Sequence, residues 1–139
     1  MSYKTKKEYQ MKSPFIPISW GELFDKISIL EIKIENLKEK NALKNVKTEY
    51  EQLNRIYISN FLEDEIARCL FKDLKKINQK LWNIEDKIRD KERSKKFDQK
   101  FIELARNVYF TNDKRSKMKR KINEIFGSKI IEEKSYSKY

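Results

Sequence analysis

Residues Phe101–Asn123, FIELARNVYFTNDKRSKMKRKIN, keep a helical apolar rhythm while placing polar side chains where carbon belongs. Phe97, Phe101, Leu104, Val108, Thr111, Arg115, Met118, Ile122 and Ile125 recur at alternating steps of four and three. That spacing is the core-facing stripe of a long helix. Thr111 and Arg115 interrupt the stripe in its middle. A core-facing guanidinium is costly unless a carboxylate meets it. Two readings stand: a buried ion-pair network that sets helix register, or a pocket that awaits an anion.

Similar stripes lie upstream. Ser19-Trp-Gly-Glu22 reads as a capping box, with the Ser19 hydroxyl accepting the Glu22 N–H and the Glu22 carboxylate reaching back. From it runs Trp20, Leu23, Ile27, Leu30, Ile34, Leu37, widened by Phe24, Ile29 and Ile32 and ending at Asn41. So wide a stripe predicts contact with more than one neighbour. Asn41 to Asn45 reads as a turn, and a shorter helix carries Val46, Tyr50, Leu53 and Tyr57, with a break or bend at Ser59-Asn60. Glu63-Asp64-Glu65 suits the first turn of a third helix bearing Leu70, Leu74, Ile77, Leu81, Ile84 and Ile88. A turn is expected over Asp90 to Lys96, with Ser94 capping the fourth helix and Gly127 ending it in the left-handed conformation.

The fold class predicted is all-α: an antiparallel bundle of three long helices and one shorter helix. The chain has 139 residues, a length that fits one domain. Only two Gly and two Pro occur, too few for the turns of an α/β fold. Residues 1–14 are expected to form a disordered basic arm, residues 15–139 a single helical-bundle domain, and Ile130 to Tyr139 a short tail that folds back or grips a partner subunit.

Composition excludes several chemistries. There is no His and a single Cys, Cys69, so neither a zinc site nor Ser–His or Cys–His catalysis is expected, and no cofactor or metal is predicted. Cys69 reads as a small buried hydrophobe, and a lone thiol fits a reducing, cytoplasmic setting. No signal-peptide h-region and no apolar run of about 20 residues is visible, so no membrane span is expected. The net charge of +11 raises the question of nucleic acid, but Lys far outnumbers Arg, as a biased genome would spell a solvated surface.

Glu22-Leu-Phe-Asp25-Lys-Ile-Ser-Ile-Leu30-Glu-Ile-Lys33, Leu81-Trp-Asn-Ile-Glu-Asp86, Phe101 to Arg115 and Ile131-Glu-Glu-Lys-Ser-Tyr136 form four blocks. In combination they resemble a domain-of-unknown-function family of small all-α proteins from bacteria, phages and large DNA viruses. The likeness spans about Ile18 to Tyr136. It implies a setting beside sugar-transferring enzymes of surface-polysaccharide pathways, and assigns a role to no residue.

The candidate site centres on Arg115. Asn112 and Lys119 border its face at steps of three and four, and Glu31, Glu85 and Asp25 are the carboxylates that other helices offer. As a network, these residues fix register; as a pocket, Arg115 clamps phosphate or carboxylate bidentately and Lys119 adds a point charge. Glu22-x-x-Asp25 and Glu31-x-x-x-Glu35 each put two acids on one helix face, a spacing that can hold Mg²⁺ between facing helices. No clean second acidic pair accompanies them. Lys114-Arg-Ser-Lys-Met-Lys-Arg-Lys121 reads as a solvated helix end in preference to a nucleic-acid contact. The function expected is binding, with a homodimer or protein partner. The alternatives are an Arg/Lys-lined pocket, enzymatic or not, for a phosphorylated or nucleotide-linked anion, and nucleic-acid binding.

Overall fold

A computed structural model describes Tyr9 and residues 11–139; most of the expected basic arm lies outside the described residues. Those residues form four helices and no strand: α1 (Trp20–Asn36), α2 (Lys40–Phe61), α3 (Glu65–Arg93) and α4 (Gln99–Ile125). The connections are short, and the helices gather into a bundle around α1. Three helices are long, with 22, 29 and 27 residues, and the short member is α1 with 17.

Local chemistry moves the boundaries from where periodicity put them. The Glu39 carboxylate accepts from Asn41 N at 2.8 Å and Ala42 N at 2.6 Å, which starts α2 at Lys40. Asn41 to Asn45 is therefore helix, and the turn is Leu37 to Glu39. Ser59 and Asn60 do not break α2, because their side chains bond back to Arg55 O and Ile56 O within it. Asp64 caps α3 through Ala67 N. Asp98, not Ser94, caps α4, accepting from Phe101 N at 3.0 Å, while Ser94 closes α3 by donating its N–H to Asp90 O. Gly127 follows α4 at φ 64, and Ser128 N donates to Asn123 O at 2.8 Å across the turn.

Helix α1 is the hub and touches each of the other three, whereas α3 and α4 form their own hairpin. Buried side chains accordingly run almost round it, from Leu23 through Phe24, Asp25, Ile27 and Ser28. Phe24 is fully buried, its ring edge-on to Tyr57 at 5.2 Å and to Phe61 at 5.3 Å. Phe61 meets Phe126 at 4.7 Å, which draws the end of α4 into the same cluster. Such aromatic pairs contribute about 0.5–1.5 kcal/mol each beyond the area they bury. At about 1.5 Å per residue, α3 and α4 reach some 40 Å against 25 Å for α1, so their distal ends run past it. That explains Phe97, a stripe residue that is 55% exposed. Ile125, at the opposite end of α4, is exposed as well, and so is Cys69, contrary to the buried position expected for it.

The entry of α1 is docked onto the exit of α4. Gly21 N donates to Asn123 Oδ1 at 2.6 Å and Trp20 N to Ser128 Oγ at 2.9 Å, while Ser19 Oγ accepts from Glu22 N. The free N–H groups of the first turn are thus met by another helix as well as by the cap. A Cβ on Gly21 would come within 2.4 Å of Lys119 O, a backbone atom held inside α4. Gly21→Ala should therefore lower stability by about 1–3 kcal/mol, although alanine is the better helix former by roughly 1 kcal/mol. A urea titration checks this through a lower midpoint at unchanged slope.

Candidate functional site

Asp25 occupies the face of α1 turned towards both α3 and α4, and its side chain is 2% exposed. An ionised carboxylate there needs partners from both helices. Arg115 of α4 supplies two: Nε donates to Oδ1 at 2.9 Å and Nη2 donates to Oδ2. Asn78 of α3 donates through Nδ2 to Asp25 Oδ1 and to Ser28 Oγ, each at 2.8 Å, and the Ser28 hydroxyl closes on Asp25 O. Lys119 Nζ, one turn along α4 from Arg115, stands 3.9 Å from Asp25 Oδ2 and donates to Glu22 Oε2 at 2.7 Å and Glu132 Oε2 at 3.2 Å. The Glu22 carboxylate therefore serves Lys119, where the sequence had it completing a capping box.

Charge states follow from these contacts. The hydrogen bond to Asp25 raises the Arg115 guanidinium above its ordinary value, against the lowering effect of burial. Burial disfavours the Lys119 cation, but the Glu22 bond and the Asp25 charge outweigh it and the net shift is upward. Burial opposes the Glu22 anion too, and Lys119 overcomes it, so Glu22 titrates below its ordinary value.

Of the residues singled out around Arg115, the structure brings Asp25 and Lys119 to it. Glu31 lies elsewhere, 3.9 Å from Lys75, which bonds Glu35 at 2.7 Å. Glu31 Oε2 is buried without a hydrogen-bond partner. Burial, only partly offset by Lys75, pushes the Glu31 carboxyl up. Glu85 stands 3.7 Å from Arg89. It shares with Arg115, Asn112, Asn78 and Trp82 the lining of a cleft of about 440 Å³. Asn112 and Arg115 also line a second cleft, between α4 and the C-terminal segment. Sequence reasoning missed Asn78 and Asn123. The signal for Asn78 was its place four residues after Leu74 on the α3 stripe; Asn123 adjoins the stripe residue Ile122 and had no signal of its own.

The paired acids carry cationic side chains: Lys119 on Glu22, Arg115 on Asp25, Lys75 on Glu35. Among the described residues no three His, Cys, Asp or Glu side chains converge into a metal site. In the basic run, Arg115, Lys119 and Arg120 are each held by a carboxylate, Arg120 by Glu124 and Glu133. Among the described residues no helix is long and apolar enough to cross a membrane.

Fold and site together define an all-α helical bundle in which one buried carboxylate, Asp25, is met by partly buried cations of another helix. The chain belongs to DUF6165, a family of unknown function, which it matches over residues 14–139. All four sequence blocks fall inside that span. No curated protein and no solved structure matches the chain.

Two outcomes test this electrostatic picture. Arg115→Ala leaves Asp25 buried with Asn78 as its remaining close partner and should cost about 3 kcal/mol, the lower end of the range for breaking such a pair because Lys119 stands near; denaturant unfolding at neutral pH measures it. Glu31 should behave oppositely. Its raised folded value means that ionisation works against folding as pH rises from its ordinary 4.5 through that raised value. Glu31→Gln should therefore stabilise the protein at pH 7, by up to about 1 kcal/mol, and confer no gain at pH 4. The Glu22 contribution has the reverse sign, present above its ordinary 4.5 and lost as pH falls through its lowered folded value. Unfolding midpoints of the native chain, Glu31→Gln and Glu22→Gln, followed from below pH 4 to pH 7, check the two signs.

Proposed function

We propose that this protein works by binding, as a cytoplasmic homodimer whose contact face is the approach segment 13–18 together with α2. What carries the reading is Phe15. Its side chain is 98% exposed, and Ile16 beside it is 74% exposed. Pro17 holds this Phe-Ile-Pro-Ile segment extended. An apolar cleft of about 730 Å³ opens between the segment and α2, lined by Phe15, Trp20, Leu23, Leu53 and Ile56 among others.

Each chain therefore offers an apolar projection next to an apolar groove. A two-fold axis lets each projection fill the partner's groove, the self-complementary arrangement of most homodimers. Lys26, Glu49 and Arg55 stand on the rim of the same cleft, so charges of both signs meet across such an axis. Contiguous exposed apolar side chains rimmed by polar ones are the usual mark of a protein interface. The polar groups around Asp25, by contrast, are largely spent on one another. A lone, exposed Cys69 suits a reducing compartment. The setting implied by the family resemblance, beside sugar-transferring enzymes, belongs to this proposal as the source of further partners.

Light scattering coupled to size-exclusion chromatography tests it. The native chain should elute at twice its monomer mass. Phe15→Ser should shift it to monomer without lowering the unfolding midpoint of the monomer, because Phe15 contributes nothing to the fold of its own chain. A native monomer at high concentration, or a dimer indifferent to Phe15→Ser, overturns the reading.

A further inference from the structure

We propose that the cleft between α4 and the C-terminal segment 130–139 is a binding site for a nucleoside phosphate. Past Gly127 the chain turns back along α4. Glu132 and Glu133 are held by Lys119 and Arg120, each at 3.2 Å, and the Tyr139 hydroxyl donates to Asp113. The Tyr139 ring packs edge-on against Tyr109 and Phe110, both at 5.2 Å. Between these tethers lies a cleft of about 690 Å³, a volume in the range of small-molecule sites. Arg115, Asn112, Lys134, Tyr109, Tyr136 and Tyr139 line it.

The lining states the chemistry of the ligand. Arg115 spends Nε and Nη2 on Asp25, and among the described residues its Nη1 has no partner. Lys134 forms no ion pair among the described residues, and its Nζ stands 5.8 Å from the centre of the Tyr136 ring. Two cations converge on one cleft with a single side-chain carboxylate, Asp113, which is occupied by Tyr139. The hydrogen bond to the Asp113 carboxylate pushes the Tyr139 phenol up to about 12. A guanidinium fork and an ammonium are the usual phosphate pair.

The rings add a second requirement. Tyr136 is 75% exposed and Tyr139 73%, while Tyr109 is 42% exposed. All three line the cleft, and the largely exposed Tyr136 and Tyr139 offer ring area to a flat group; base–aromatic stacking tolerates any base. A bare phosphate would leave the tyrosines unused, and a bare ring would leave the cations unused. One molecule carrying both groups uses the whole lining, with the Asn112 amide able to donate to or accept from the base edge. The site stands apart from the dimer face and does not rest on that proposal.

Isothermal titration of the full chain decides the matter, with ADP, UDP and GDP as probes and inorganic phosphate and adenosine as the two halves. At least one nucleotide should bind tenfold or more tightly than either half. Lys134→Ala and Tyr136→Ala should each weaken that nucleotide tenfold or more with no change in the unfolding temperature of the free protein, since both side chains lie outside the core. Absence of heat and of thermal shift at millimolar nucleotide overturns the proposal. So does nucleotide binding that both variants leave intact, or phosphate binding as tight as that of the nucleotide.

Discussion

One buried carboxylate organises this bundle. Asp25 sits on the hub helix with almost no access to water, and its ionised form is tolerable only because α3 and α4 each send a donor to it. The interaction is directional as well as strong: Arg115 meets both carboxylate oxygens, and Asn78 bridges Asp25 and Ser28. A sliding motion of α4 along α1 by one turn would break the two-point Arg115 contact, bringing Thr111 or Lys119 opposite Asp25 in its place. Apolar packing alone punishes such a slip less, because one aliphatic side chain substitutes readily for another.

The second constraint reinforces the first. Gly21 lets α1 approach the backbone of α4 so closely that its own amide reaches the side chain of Asn123. The helix entry and the ion pair lie about one turn apart on α1, at Gly21 and Asp25, and Lys119 stands over both through its carbonyl and its ammonium. Two contacts of different physical kind, steric and ionic, therefore specify the same α1–α4 register. The aromatic cluster around Phe24 then secures α2 and the end of α4 against the hub.

This inward use of charge shapes what the surface offers. The cations that looked most like a nucleic-acid footprint, in the run from Lys114 to Lys121, are in part internal struts and tail clasps. Among the described residues the most exposed large apolar side chain is Phe15. The unspent edge of Arg115 opens at the C-terminal segment, so the same guanidinium serves as a fold determinant on one side and faces a cleft on the other.

By itself the sequence determined the class of fold, because helical periodicity and scarce Gly and Pro are local properties written along the chain. It marked Arg115 as anomalous, and Asp25 stood among its three candidate carboxylates. The choice of Asp25 over Glu31 and Glu85 was decided only by the tertiary structure, since all three lie beside apolar stripes and nothing local tells which stripe faces α4. The same holds for Asn78, Asn123 and Gly21, whose meaning is a contact some tens of residues or more away. Helix ends fell between these cases: Glu39 and Asp98 were visible as acids, but which of several polar residues caps a helix depends on the path the chain takes out of the preceding turn. Periodicity reports which face of a helix is buried; only the packed structure reports against what.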